Sequence, residues 1–379
     1  MKKIPILDLK AQIRPIRAEI DAAIKEVIDN TAFILGGKVS EFEDAVIKYT
    51  GAKYAVACSN GTDAISLALS ALGIGASDGV VCPSFTFYAT AGSIAALGAI
   101  PVFADIDPHT YTISVSSVEQ ALKQKNGPKI KAIMPVHLYG QCADMEPILK
   151  IARENQLKVI EDNAQAFGAE YLPAGQAGKG KKSGTIADCG SISFFPGKNL
   201  GAFGDAGMVL ANDKAVADAL CLLRNQGNKE KYHHLVIGHN NRMDTLQAAV
   251  LNVKLKYLDA WNNKRQQNAA YYNQGLKGLP IKTPLVAGYS THIYHQYVLR
   301  LDRPSAGLIE HLINKGIDAR VYYPLPLHLQ PCFKYLGYKA GDFPESVKAS
   351  HETLAIPVYP ELSKEDMDYI IGAIKEYLM

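Results

Sequence analysis

The spacing of hydrophobic positions changes several times along the chain, and each change marks an element. Ile13, Ile16, Ile20, Ala23, Ile24, Val27 and Ile28 fall three or four residues apart, which predicts an amphipathic helix. A second helix of this kind opens at Glu41-Phe42-Glu43 and ends near Gly51. Residues 54–58, 79–83, 100–107, 132–140, 159–162, 188–194 and 208–211 then form short, nearly continuous apolar runs. Runs of that length fit strands covered on both faces. Helical patterns lie among them at 64–72, 144–155 and 215–224. This alternation predicts an α/β fold with a mainly parallel central sheet flanked by helices.

Beyond residue 211 the pattern is more mixed. Residues 225–244 read as a long polar loop. Residues 245–276 carry one continuous helical pattern, with Leu246, Ala249, Val250, Val253, Leu255, Leu258 and Trp261 on its apolar side. It is read as the connection to a smaller C-terminal α+β domain, dividing the chain into 1–250 and 251–379. Within the second part, 295–301 alternates as a strand, 305–315 is a helix stopped at Gly316, and 363–378 is a closing helix with Ser363 in N-cap position. Residues 171–188 read as an irregular, basic, solvated insert containing Gly175, Gly178 and Lys179. Gly175 and Gly180-Lys181 invite a P-loop reading, but Lys182 stands where that motif needs Ser or Thr.

Composition narrows the function classes. The 379 residues are 48% apolar, and 40 basic against 37 acidic side chains leave a net charge of +3. That balance demands neither nucleic acid nor an anionic membrane as a partner. The six cysteines form no CxxC pair and read as small buried hydrophobes in a reducing compartment. No apolar run has the length of a signal peptide core or a membrane span, so a cytoplasmic location is expected. His233, His234 and His239 lack metal-ligand spacing, and no metal is expected.

One stretch reads as chemistry. Asp162 ends an apolar run, Gln165 follows, and Lys198 sits in the aromatic, glycine-rich loop Phe194-Phe195-Pro196-Gly197-Lys198-Asn199-Leu200-Gly201. Pyridoxal phosphate (PLP) needs such a pair. A lysine amine must hold its aldehyde, and a carboxylate must keep its ring nitrogen protonated. An apolar pocket also strips hydration from the lysine and favours the neutral, nucleophilic amine. Upstream, Ser59-Asn60-Gly61-Thr62-Asp63 joins a strand to a helix start, where free N–H groups suit a phosphate.

Glu161-Asp162-x-Ala164-Gln165, Ser193-Phe194-x-Pro196-Gly197-Lys198-Asn199-Leu200-Gly201 and Gly204-Asp205-x-Gly207 resemble the signature of the DegT-type nucleotide-sugar aminotransferases, in order and over essentially the whole chain. The resemblance implies the aspartate-aminotransferase-like fold, fold type I among PLP enzymes. It also implies catalytic roles for Lys198 and Asp162. Gly61, Thr62 and Ser193 would hold the cofactor phosphate, Phe87 would stack on the ring, and Gln165 would meet its phenolic oxygen. Asn240 would reach the cofactor of a second subunit, so a homodimer with shared active sites is expected. Tyr323 and His328 match the family's substrate-side loop, and the loop at Phe33 is similar to one near the family's substrate. Arg242 and Lys231, with Arg320, are cations available to a uronate.

The activity implied is amino transfer from L-glutamate, leaving 2-oxoglutarate, to a nucleotide-linked keto-sugar. The residues around 138–144 and 323–327 look most like members acting at C3. Amination at C4 of a 4-keto-6-deoxy nucleotide sugar is the alternative. A PLP- or sugar-sensing regulator on the same fold, keeping the cofactor without turnover, is a third reading, against which the lack of a helix-turn-helix pattern counts.

Overall fold

The computed structural model describes residues 3–124, 127–173 and 180–379. Seven strands form its central sheet: β1 (Tyr54–Cys58), β2 (Gly79–Pro83), β3 (Ile100–Ala104), β4 (Ile130–Ile133), β5 (Lys158–Asp162), β6 (Cys189–Ser193) and β7 (Gly207–Ala211). Their order is β1-β7-β6-β5-β4-β2-β3. β7 runs antiparallel to both its neighbours, and every other pairing is parallel. β1 to β6 therefore all point the same way, as the sequence predicts for a mainly parallel sheet.

Alternate residues of each strand feed different cores, because side chains leave a strand on opposite faces. Val56, Val80, Ile160 and Val209 pack with Leu67 and Ile94 on one side. On the other, Val81, Ile133 and Val159 join Ile148, while Ala57, Met208 and Leu210 join Phe42 and Phe194. With apolar helices on both faces, the strands have no solvent side to keep polar. Around the sheet lie α1 (Arg17–Asp29), α2 (Gly37–Thr50), α3 (Gly61–Ala71) and α4 (Tyr88–Ala96).

A further core gathers the C-terminal part. β8 (Tyr297–Arg300) and β9 (Thr353–Ile356) pair antiparallel, with Tyr297 opposite Ile356. Tyr272, Leu299, Leu312, Leu354 and Ile370 fill the space beneath them. The N-terminus crosses to the same core, where Ile4 bridges Ile317.

Four sequence expectations need correction. The long helix at 245–276 is two helices, α5 (Thr245–Leu255) and α6 (Leu258–Gly275). Val250 and Val253 of α5 pack on Ile16 and Ile20, and α6 begins in the same surroundings with Leu258 and Trp261 before Ala269 and Tyr272 reach the C-terminal core. Tyr257, between them, is tied by its hydroxyl to Glu19. The polar segment after residue 224 contains a short hairpin, Asn228–Glu230 against His233–His234. The insert at 171–188 is not wholly irregular, since Glu170–Tyr171 pairs with Lys181–Lys182 and Lys182 meets Glu170 at 2.9 Å. Gly175, Gly178 and Lys179 lie outside the described residues. Four of the cysteines are buried, but Cys221 and Cys332 are exposed.

Candidate active site

Strands that run in the same direction deliver their carboxyl ends to one edge, and ligands of such sheets gather there. Asn60 and Gly61 follow β1, Thr86 and Phe87 follow β2, Val136 follows β4, Asp162 ends β5 and Ser193 ends β6. Asp205 precedes the reversed β7. All of them line one cavity of about 690 Å³, closed on its far side by Tyr322, Tyr323 and Ile356. No group of His, Cys, Asp or Glu among the described residues could hold a metal ion.

Asp162 sits in the floor, almost fully buried. Thr90 of α4 donates its hydroxyl to Oδ2 at 2.7 Å, and the backbone N–H of Ala164 donates to Oδ1 at 3.2 Å. Burial pushes this carboxyl up, while those hydrogen bonds and the Lys198 charge pull it down. The neighbouring Glu161 points the other way and anchors the strand end. It accepts from His137 Nε2 at 2.8 Å and from the backbone N–H groups of Gly184, Ile186 and Ala187 at 2.7–2.8 Å. His137 Nδ1 accepts from the N–H of Ala143, so its proton is on Nε2 and points at Glu161. An amide here would turn an NH2 group on donors that need an acceptor. Glu161→Gln is therefore expected to destabilise the fold by about 2–4 kcal/mol. Urea unfolding measures this, and a loss below about 0.5 kcal/mol, the size of an ordinary surface substitution, would contradict it.

Lys198 reaches the same cavity from the loop after β6. That loop turns tightly, with the Lys198 N–H donating to the Phe195 carbonyl at 2.8 Å. A Cβ on Gly201 would lie 2.3 Å from the Pro196 carbonyl oxygen, so the turn requires glycine. The amine is pushed down to about 8 by loss of hydration, with Asp162 opposing. Buried Lys254 holds the loop from behind, donating to the Gly201 carbonyl.

The cradle at the start of α3 is equally close-packed. Asn60 caps the helix through Oδ1 to the Asp63 N–H at 2.8 Å. A Cβ on Gly61 would sit 2.5 Å from Ser193 Cβ, so only glycine lets Ser193 approach. Ser193 Oγ accepts the Phe195 N–H at 3.3 Å and keeps its own proton to donate. Gln165 is fixed from both ends: Oε1 accepts the Tyr139 N–H at 2.8 Å, and Nε2 donates to the Tyr323 hydroxyl at 2.8 Å. Phe87 stands over half exposed at the mouth, its ring 6.0 Å from that of Tyr323. A phosphate fits the free N–H groups of this helix start. A flat ring would have Phe87 to meet one face and, in the same cavity, the Asp162 carboxylate and the Lys198 amine. The donor set therefore suits PLP.

The structure thus brings together Gly61, Thr62, Phe87, Asp162, Gln165, Ser193, Lys198 and Tyr323. It does not bring in the others. His328 is buried away from the cavity, with Nδ1 2.5 Å from Ser84 Oγ and its ring on Phe343. Its place between prolines serves packing. Lys231 lies on the exposed hairpin over the Tyr232 ring. Arg242 bonds Asn225 at 3.0 Å, and exposed Asn240 bridges the same residue. Phe33 is exposed in the loop before α2. Arg320 is paired with Asp318 at 2.9 Å. Sequence reasoning missed Thr90, Arg265, His295 and Gln296. For Thr90 the signal was one polar position in an otherwise apolar helix start.

Comparison with known proteins settles the class. The DegT/DnrJ/EryC1/StrS aminotransferase family matches residues 14–375. The chain belongs to this family. A solved structure of NtdA from Bacillus subtilis, 30% identical with a TM-score of 0.89 over 100% of this chain and 86% of that one, holds the cofactor PMP. This aminotransferase is 45% identical to a pleiotropic regulatory protein of Geobacillus stearothermophilus over 99% of this chain and 98% of that one. It is 39% identical to the UDP-2-acetamido-2-deoxy-3-oxo-D-glucuronate aminotransferase of Pseudomonas aeruginosa, over 98% and 99%. Among solved structures, S. venezuelae DesV in complex with a ketimine intermediate superposes with a TM-score of 0.94 at 38% identity. That match covers 100% of the aminotransferase and 99% of DesV. No helix among the described residues is long and apolar enough to cross a membrane.

Proposed function

We propose that the enzyme moves the amino group of L-glutamate to C3 of a keto-sugar carried on a nucleotide. The observation that carries the transfer chemistry is the pair in one cavity, an amine poised near 8 on Lys198 and the buried carboxylate of Asp162. The relative from P. aeruginosa favours C3, since it is named for a 3-oxo sugar, and so does a Streptomyces venezuelae relative at 38% identity named for a 3-amino sugar.

When bound, PLP supplies an aldehyde that takes up the donor's amine and a ring that accepts the electron pair left at the donor's Cα. Lys198 Nζ holds the cofactor at rest. Once displaced, the amine is neutral in a useful fraction near pH 8 and takes the proton from the donor's Cα. Asp162 keeps the ring nitrogen protonated. The Gly61 and Thr62 N–H groups and the Ser193 hydroxyl bind the phosphate, and the dipole of α3 adds to them. Gln165 orients the ring, and Phe87 shields one face from water. Tyr323 stands where the sugar would enter.

Asn240 completes the phosphate site of a second copy in this reading. A homodimer is supported by apolar side chains left in water on the hairpin and nearby loops, among them Tyr232, Leu235, Ile237 and Ile34. A regulatory role, prompted by the name of the Geobacillus relative, would keep the cofactor on Lys198 but show no turnover. The test is a screen of 3-keto against 4-keto nucleotide sugars with glutamate as donor, reading 2-oxoglutarate. Turnover with the 3-keto compounds at least tenfold above the 4-keto ones is expected. Preference for 4-keto sugars would overturn the position, and no turnover with either would favour the regulator.

A further inference from the structure

One wall of the cavity carries a positive charge that no acid among the described residues meets directly. Helix α6 turns Asn262, Arg265, Gln266 and Asn268 inward. They fasten the segment that runs along the cavity. Asn262 Oδ1 accepts from Asn199 at 2.8 Å, Gln266 donates to the His292 carbonyl at 3.0 Å, and Arg265 Nη1 donates to the Tyr294 carbonyl at 3.0 Å. Arg265 is only 3% exposed, lines the cavity, and has no partner for its Nε–H among the described residues. The other inward-facing arginines differ. Arg300 meets Glu352 at 2.8 Å and Arg224 meets Glu43 at 2.5 Å.

The groups around Arg265 do not neutralise it. His295 also lines the cavity. Burial, reinforced by the Lys198 and Arg265 charges, holds its imidazole well below the usual range, so it stays uncharged. Gln296, next along the wall, has a buried Oε1 without a partner among the described residues. Its amide turned over would present N–H groups instead. Glu361 is the acid nearest in effect, but it makes no ion pair with Arg265 among the described residues and keeps an unpartnered Oε2 of its own. A buried cation without a contacting counter-ion is costly unless a ligand brings the anion. A guanidinium is also the side chain best shaped for a carboxylate.

We propose that Arg265, helped by Gln296, receives a carboxylate of the amino donor in the cavity that holds Lys198. The inference rests on the function proposed above and extends it to donor recognition. Donor and sugar then share the Lys198 amine but touch different walls. A sugar uronate is the other source of a carboxylate, and the two half-reactions separate them.

The experiment follows each half-reaction alone by the absorbance of the bound cofactor. Arg265→Met should raise the glutamate concentration for half-maximal conversion at least 30-fold. The reverse half-reaction, from the aminated cofactor to a keto-sugar, should shift less than threefold in its sugar dependence. Arg265→Lys should recover part of the loss, and Gln296→Leu, which leaves the Tyr294 anchor intact, should raise the glutamate requirement about fivefold. Calorimetry with glutarate, an unreactive dicarboxylate, should show the same ranking without turnover. Equal losses in both half-reactions, or a loss confined to a keto-uronate, would overturn the proposal. So would unchanged glutarate affinity in Gln296→Leu and Arg265→Lys. Failure of the parent enzyme to convert glutamate would instead count against the function, and the glutarate ranking would still decide the role of Arg265.

Discussion

Lys198→Ala should abolish amino transfer, lowering kcat by a factor on the order of 10⁴ or more, which is about 5 kcal/mol of barrier. Two losses combine. The cofactor loses its covalent tether, and the proton on the donor's Cα loses the base that removes it. The fold should survive, because the lysine stands on a loop whose turn is built by Gly201 and the Phe195 carbonyl, not by the side chain. Release of 2-oxoglutarate from glutamate measures the effect, and thermal unfolding checks the fold. Lys198→Arg keeps a positive charge but cannot supply a neutral amine, and it should be equally inactive. Residual transfer within a hundredfold of the parent would remove Lys198 from the chemistry.

Asp162→Asn should cost about 10³-fold in kcat while leaving the cofactor attached. The shape is kept, and the carbonyl oxygen of the amide can still accept from Thr90. What goes is the negative charge, so nothing holds the proton on the ring nitrogen. Burial makes that charge matter, since water cannot substitute for it. The protein should therefore remain coloured but slow, a combination that Lys198→Ala does not give. A variant within tenfold of the parent would show that the ring nitrogen needs no counter-charge here.

The parallel sheet was readable because strands covered on both faces leave long apolar runs, and 54–58 or 79–83 could hardly be anything else. Lys198 and Asp162 were readable because a lysine in an aromatic, glycine-rich loop and an acid closing an apolar run are both unusual places for a solvated charge. The resemblance to the family added the cradle at Gly61 and Ser193. Arg265 was hidden, since a helix with a polar buried face looks like a helix with a polar wet one. The break at Lys256 was hidden for a related reason: neither Gly nor Pro marks it, and the apolar spacing runs on across it through Leu258 and Trp261. His328 misled in the opposite sense. A histidine among prolines in a substrate-side loop looks available, yet its ring packs on Phe343 and its nitrogen meets Ser84.

The reactive pair is set at and just beyond the ends of neighbouring strands, whereas Tyr323 belongs to a connection that the sheet does not dictate. Chemistry and taste are thus inherited separately in this molecule. Grafting another member's 319–331 segment onto it would alter which sugar is accepted without re-engineering the step that moves the proton, and that separability makes the scaffold a natural starting point for building new amino sugars.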